Sequence, residues 1–191
     1  MRAAFSALWD REKEGFSNIE FSGRSDYAIF RTALKQAGHL GNNFDSDLAR
    51  FRRAYFRRLP GSLVVNNGVV LPGVVTLLDQ LKADRGATLA VGTGNFRAGA
   101  RMKLQHYGLD HYFIAGGYGD RTEDATRMAG KHDTIFVIGD TAHDITSAKA
   151  NGAVAIGVTT GTTAEKTLAD AGADLILENL VGAYSKLARP D

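Results

Sequence analysis

The sequence contains no cysteine, so disulfides, thiol nucleophiles and zinc–thiolate sites are excluded. It also lacks any apolar run near the roughly 18 residues that span a bilayer, and its first residues show no signal-peptide pattern. The net charge of +2 is too small to indicate a nucleic-acid partner by itself. We therefore expect a soluble cytoplasmic protein with neither a membrane nor a nucleic acid as its partner.

The residues that are present fit a globular chain made of two different parts. With 191 residues, 44% apolar and 23% charged, the chain matches one domain, or one domain with a smaller insertion. Up to residue 68 the apolar spacing is helical, whereas from residue 69 helices and strands alternate. We therefore predict an all-helical part over 1–68 and an α/β part over 69–191, with a linker or hinge near residues 62–71.

One segment of the helical part is rich in arginine: Arg50, Arg52, Arg53, Arg57 and Arg58. Such a cluster is compatible with a surface that binds nucleic acid or an acidic partner. It is equally compatible with the solvated face of an amphipathic helix. We favour the second interpretation because the large apolar residues fall at helical spacing, at Phe44, Leu48, Phe51, Tyr55 and Leu59.

The second part alternates between helix and strand patterns. Strands are predicted at residues 88–91, 112–115, 134–138, 154–158 and 174–177, with helices between them. Strict alternation of this kind is typical of a parallel, doubly wound sheet, whose ligands bind at the carboxyl ends of the strands. The fold class predicted is therefore α/β, with a Rossmann-like sheet.

Polar residues follow the predicted strands at those carboxyl ends. Asp140 and Asp144 lie one helical turn apart, and two carboxylates between a strand and a helix suit a partly hydrated Mg²⁺ ion. Thr93, with Gly94 and Asn95, offers a hydroxyl and a backbone that a ligand can approach. Arg121 follows the predicted strand at 112–115. Together these residues predict a site for an anion and a metal ion.

Each of these residues also has a plain structural interpretation. Thr93 and Asp140 could simply cap helices, and Arg121 could be one more surface arginine. His143, between the two acids, is as compatible with a helix rim as with substrate contact, and we assign it no role. We favour a functional site because the polar residues occur in order at successive strand ends.

The ordered set resembles the haloacid dehalogenase superfamily, and within it the phosphoglycolate phosphatase-like hydrolases. The resemblance depends on Gly139-Asp140-Thr141-Ala142-His143-Asp144, on Thr93-Gly94-Asn95 and, more loosely, on Arg121. Gly23-Arg24-Ser25-Asp26 and Leu71-Pro72-Gly73-Val74 add to it, so that the similarity covers nearly the whole chain. In such enzymes, residues 1–68 correspond to a helical cap on the α/β core.

The resemblance implies Mg²⁺-dependent phosphoryl transfer on a small phosphorylated or acidic metabolite. It implies that Asp140 ligates the metal and that Asp144 positions the ligands. Thr93 and the N–H groups of Gly94 and Asn95 would hold phosphate oxygens, with Thr141 also at the substrate. Arg121 would offset negative charge, and Arg24 in the cap would reach an acidic group.

The superfamily's Asp-x-Asp-Gly-Thr nucleophile motif does not occur in the sequence. The chain begins where a cap helix of a relative would begin, which suggests a truncated form without the central first strand, a loss of about 15 to 20 residues. Without that strand, the strands at 88–91 and 134–138 would lie about 5 Å too far apart for direct hydrogen bonding. The strands could close up, residues 62–71 could fill the gap, or two chains could form a homodimer. Two function classes stay open: a hydrolase, which we favour, and a non-catalytic phosphate- or partner-binding relative.

Overall fold

The computed structural model describes residues 1–9, 15–41, 43–120 and 134–187. They form helices and strands with parallel pairing, which confirms the predicted α/β class. They divide into two compact units. The first unit holds the described parts of Met1–Gly68, Val91–Asp110 and Gly116–Arg127. The second unit holds those of Val69–Ala90, His111–Ala115 and Met128–Asp191.

The described helices are, in chain order, α1 (Arg2–Ser6), α2 (Asp26–Gln36), α3 (Phe44–Asn66), α4 (Val74–Ala83), α5 (Arg97–His106), α6 (Ala142–Ala150), α7 (Glu165–Asp170) and α8 (Tyr184–Leu187). The described strands are β1 (Ala90–Thr93), β2 (Ala115–Tyr118), β3 (Phe136–Gly139), β4 (Val154–Val158) and β5 (Leu175–Leu177). A short 3₁₀ helix covers Asp110–Tyr112.

An aromatic core holds the first unit together. Phe5, Phe30 and Phe51 are fully buried, and the Phe30 and Phe51 rings stack with their centroids 4.3 Å apart. Helix α2 begins at Asp26, because the Ser25 hydroxyl caps it by accepting a hydrogen bond from the Ala28 N–H at 3.1 Å. Helix α1 ends at Ser6 and is followed by a turn at Ala7 and Leu8.

Helix α3 confirms the amphipathic interpretation of the arginine-rich segment. Leu48, Phe51, Tyr55 and Leu59 are buried on one face, and four of the five arginines are exposed. Arg52 is the exception, because its side chain is only 30% exposed and forms an ion pair with Asp120. The helix therefore presents a solvated basic face with one half-buried cation.

The hypothesis that residues 62–71 form a linker or fill a strand position is wrong for their first half. Helix α3 continues to Asn66, and Asn67 ends it in the left-handed conformation with φ 45°. Leu63 packs against the aromatic core, and the Ser62 hydroxyl and Asn66 amide donate to carbonyls one turn back. Packing of the helix thus overrides the strand preference of Val64 and Val65, which are exposed.

In the second unit, β3, β4 and β5 form a parallel three-stranded sheet in that order. Side chains alternate between its faces along β4. Ile156 and Val158 pack with Leu77 and Leu187 on one face, and Ala155 packs with residues of α6 and α7 on the other. Helices therefore cover both faces, as expected for a doubly wound sheet.

Strands β1 and β2 form a separate two-stranded sheet. Strand β2 begins at Ala115, three residues later than predicted, because Asp110–Tyr112 turns as a 3₁₀ helix. Most of β1 belongs to the first unit and β3 belongs to the second, so the hypothesis that these two strands close up stays a prediction.

Candidate active site

Asp140 and Asp144 lie at the carboxyl end of the parallel strand β3. Gly139 is the last residue of the strand, and α6 begins at Ala142 with Thr141 as its N-cap residue. The chain therefore passes from strand to helix within two residues. Both carboxylates are half-buried at the sheet edge where ligands of doubly wound proteins bind.

The Asp144 carboxylate forms a capping box at the start of α6. Its Oδ2 accepts hydrogen bonds from the Thr141 N–H at 3.1 Å and from the Thr141 hydroxyl at 2.7 Å. Thr141 Oγ1 in turn accepts from the Asp144 N–H at 3.2 Å. A Cβ on Gly139 would lie 2.6 Å from Asp144 Oδ2, so only glycine leaves room for this arrangement. Asp144 is thus fixed in place, and the Thr141 hydroxyl is occupied by the cap.

Asp140 lines a cavity of about 320 Å³ within the second unit. The walls are formed by the ends of β3 and β4, the loop that follows β4 and the segment before α4. In the part of the chain that the structure describes, no hydrogen-bond donor or cation contacts the Asp140 carboxylate. A half-buried carboxylate that faces a cavity and has no hydrogen-bond or ion-pair partner favours the binding of a cation.

Gly161 provides the space that the Asp140 carboxylate occupies. A Cβ at this position would overlap Asp140 Oδ2, far inside any van der Waals contact. Gly161 was not among the residues predicted for the site. The sequence Thr-Thr-Gly-Thr after the strand could have indicated it, since glycine is needed where the backbone approaches another group closely.

We expect Gly161→Ala to displace the Asp140 carboxylate and to weaken Mg²⁺ binding by about tenfold, an effect of the size seen when a group that orients a metal ligand is removed. Gly161 is exposed and its φ is not positive, so the fold should tolerate a methyl group. Calorimetric Mg²⁺ titration of the variant checks this, with Gly41→Ala, in open space, as control. Unchanged affinity in Gly161→Ala would contradict the arrangement.

In the first unit, the loop after β1 is tied to the start of α2. Thr93 Oγ1 accepts a hydrogen bond from the Asn95 N–H at 3.2 Å, which leaves the hydroxyl hydrogen of Thr93 to donate elsewhere. The Gly94 carbonyl accepts from the Asp26 N–H at 2.7 Å. A Cβ at Gly94 would lie 2.5 Å from the Arg24 carbonyl oxygen, so glycine permits this close approach.

Asp26 is a residue whose contribution sequence reasoning did not find. It is only 4% exposed, and its Oδ2 accepts a hydrogen bond from the Phe96 N–H at 2.9 Å. Burial raises the pKa of this carboxyl, opposed by the Phe96 hydrogen bond and the Lys103 charge. Ser25 and Asp26 are adjacent and both could cap α2, yet one side chain is enough for a cap. The second acceptor was the feature of the sequence that could have indicated another role for Asp26.

The predicted site residues thus fall into both units. Thr93, Gly94, Asn95 and Arg24 belong to the first, and Asp140, Thr141 and Asp144 to the second. Arg24 is exposed and donates to the Thr32 hydroxyl at 3.0 Å along α2. Arg121 and the helix predicted near 122–128 lie outside the described residues.

Two further observations concern the second unit. The Nε2 atom of His143 is buried and has no hydrogen-bond partner among the described residues. Within those residues, too, no three histidine or acidic side chains group closely enough to hold a metal ion by themselves.

The comparison with known proteins decides the family. A family model described as a haloacid dehalogenase-like hydrolase matches residues 6–152. The chain belongs to the haloacid dehalogenase-like hydrolases. The resemblance to this superfamily that the motifs indicate is therefore confirmed. No helix in the described ranges is long and apolar enough to cross a membrane.

Among curated proteins, the chain is similar to the probable phosphatase IndB of Dickeya dadantii (strain 3937). The two are 34% identical over 136 residues, which is 64% of this chain, and the match spans 59% of the length of that relative.

Solved structures share the fold. A hydrolase from Pseudomonas syringae is 20% identical, with a TM-score of 0.64 over 97% of this chain and 91% of that one. A predicted phosphoglycolate phosphatase from Haemophilus somnus 129PT is 23% identical, with a TM-score of 0.58 over 85% of this chain and 76% of that one. At these identities, the likeness supports the fold.

Proposed function

We propose that this haloacid dehalogenase-like chain is a magnesium-dependent phosphatase that acts on small phosphorylated or acidic metabolites. The observation that carries the proposal is the Asp140 carboxylate, which no donor or cation among the described residues contacts, in the cavity at the carboxyl end of β3. The similarity to IndB adds support, since that relative is a probable phosphatase.

The donor set around Asp140 fits Mg²⁺. This ion prefers hard oxygen ligands and is usually held by one or two carboxylates, with water and substrate phosphate completing its shell. Asp140 would ligate it directly, and Asp144, fixed by the Thr141 cap, would orient the loop that carries Asp140. The bound ion would offset negative charge on the phosphoryl oxygens.

The residues of the chain have separate proposed tasks. The Thr93 hydroxyl hydrogen would donate to a phosphate oxygen, because its oxygen already accepts from the Asn95 N–H. The Gly94 N–H would be a second donor, and Arg121 would supply positive charge. Arg24 would reach an acidic group of the substrate only after leaving the Thr32 hydroxyl.

A second candidate is a non-catalytic relative that binds phosphate or a partner protein. The specific observation in its favour is that the printed sequence holds no Asp-x-Asp-Gly-Thr string, so no residue of this chain is assigned as the nucleophile. Such a protein would bind inorganic phosphate without turning over a phosphate ester.

A metal-removal assay separates the two candidates. We expect the chain to hydrolyse p-nitrophenyl phosphate with Mg²⁺, to lose that activity in EDTA, and to regain it when Mg²⁺ is restored in excess. The measurement is the release of p-nitrophenolate. Phosphate binding without hydrolysis would favour the second candidate, and hydrolysis that persists in EDTA would contradict the role of the metal.

A further inference from the structure

A cleft in the first unit is lined by three arginines. Its walls carry Arg52 from α3, Arg97 and Arg101 from α5, and Tyr118 and Asp120 from the end of β2, around a volume of about 670 Å³. We call it the arginine cleft. Three guanidinium groups face one carboxylate, so the lining has a net charge of +2.

Asp120 neutralises the charge of Arg52 and links α3 to the start of α5. Its Oδ1 forms an ion pair with the Arg52 guanidinium, and its Oδ2 accepts a hydrogen bond from the Arg97 N–H at 3.1 Å. The Arg52 guanidinium also lies over the Phe96 ring, 4.6 Å from its centroid. Arg52 is therefore held in one orientation and its charge is already matched.

Arg97 and Arg101 have no ion-pair partner among the described residues. No carboxylate contacts either guanidinium in the part of the chain that the structure describes. The Arg97 guanidinium lies over the Tyr118 ring, 5.0 Å from its centroid, which orients it without neutralising it. Two guanidinium groups on one wall thus remain able to bind an anion.

The placement of these two arginines opposes the stability of α5. They are four residues apart on one helix face, where like charges repel. Arg97 is also the first residue of the helix, where the backbone dipole favours negative charge, and the first turn carries no acidic residue. A bound anion would reduce both the repulsion between the two arginines and the unfavourable interaction of Arg97 with the helix dipole.

We propose that the arginine cleft binds a small molecule carrying two oxyanion groups, one for each of Arg97 and Arg101. Planar guanidinium groups match the paired oxygens of carboxylate and phosphate equally, so both chemistries fit. The site is formed by residues of the first unit alone. It does not involve Asp140, so it does not depend on the phosphatase proposal.

The test measures binding rather than turnover. Titration calorimetry without added metal ions, at low ionic strength, uses pyrophosphate in one arm and succinate in the other, and the tighter arm identifies phosphate or carboxylate as the preferred group. Arg97→Gln and Arg101→Gln should each weaken binding about tenfold, the size expected for one charged hydrogen bond. Rising salt should weaken binding further.

Arg53→Gln and Arg57→Gln are matched controls, because both arginines are exposed on α3 and neither lines the cleft. Both should bind within twofold of the parent chain. Unaltered Trp9 fluorescence would show that each variant is folded, since Trp9 lies in the aromatic core of the same unit. Absence of binding in both arms, or equal losses in cleft and control variants, would overturn the proposal.

Discussion

Asp140→Asn is expected to lower Mg²⁺-dependent hydrolysis of p-nitrophenyl phosphate by about 100-fold or more. The substitution preserves the size of the side chain but removes the charge that holds the metal, and a bound metal contributes several kcal/mol to stabilising the transition state. Because each 1.4 kcal/mol corresponds to a factor of about ten in rate, a loss of two or more powers of ten follows.

The control for this variant is Asp170→Asn. Asp170 is an exposed acid at the end of α7 in the same unit, and it forms a surface ion pair with Lys166. Its substitution should leave hydrolysis within twofold of the parent chain. Parent-like activity of Asp140→Asn under saturating Mg²⁺ would show that Asp140 is not a metal ligand of the reaction.

Phe51→Ala is expected to lower the free energy of unfolding of the first unit by about 3–5 kcal/mol, since removing a fully buried aromatic ring loses its transfer free energy and leaves a cavity. Phe51 is 0% exposed and its ring stacks on Phe30 and Tyr55. Trp9, the only tryptophan of the sequence, lies in the same core. Urea unfolding followed by Trp9 fluorescence therefore measures the loss.

Val65→Ala provides the comparison on the same helix. Val65 is 83% exposed, so its truncation should change the free energy of unfolding by no more than about 0.5 kcal/mol. If Phe51→Ala destabilised the chain as little as Val65→Ala, the Phe30–Phe51 stack could not be the centre of the aromatic core.

Periodicity predicts the second unit well. Strand β4 is expected at 154–158 and spans Val154–Val158, because its short apolar run is flanked by a glycine turn and by threonines. The helix–strand alternation also places the two acids correctly, after the last residues of a strand. These features depend on residues that are close together in the chain, so the sequence pattern is enough to reveal them.

The errors arise where long-range packing decides the structure. The β-branched residues Val64 and Val65 indicate a strand, but they lie on a helix whose upstream face is buried in the aromatic core. Asp26 resembles a helix cap, and its bond to the Phe96 N–H joins residues 70 positions apart. Arg52 falls among solvated arginines in the sequence because its partner, Asp120, is 68 positions away.

The central claim, that Asp140 holds the catalytic metal, is tested most directly by Mn²⁺, which accepts the same oxygen ligands as Mg²⁺ and broadens nearby amide NMR signals. We expect the amide signals of Gly139, Thr141 and Gly161 to broaden on addition of Mn²⁺ to the parent chain. In Asp140→Asn the same signals should stay sharp. Broadening that is centred elsewhere in the chain, or that survives the substitution, would contradict the account.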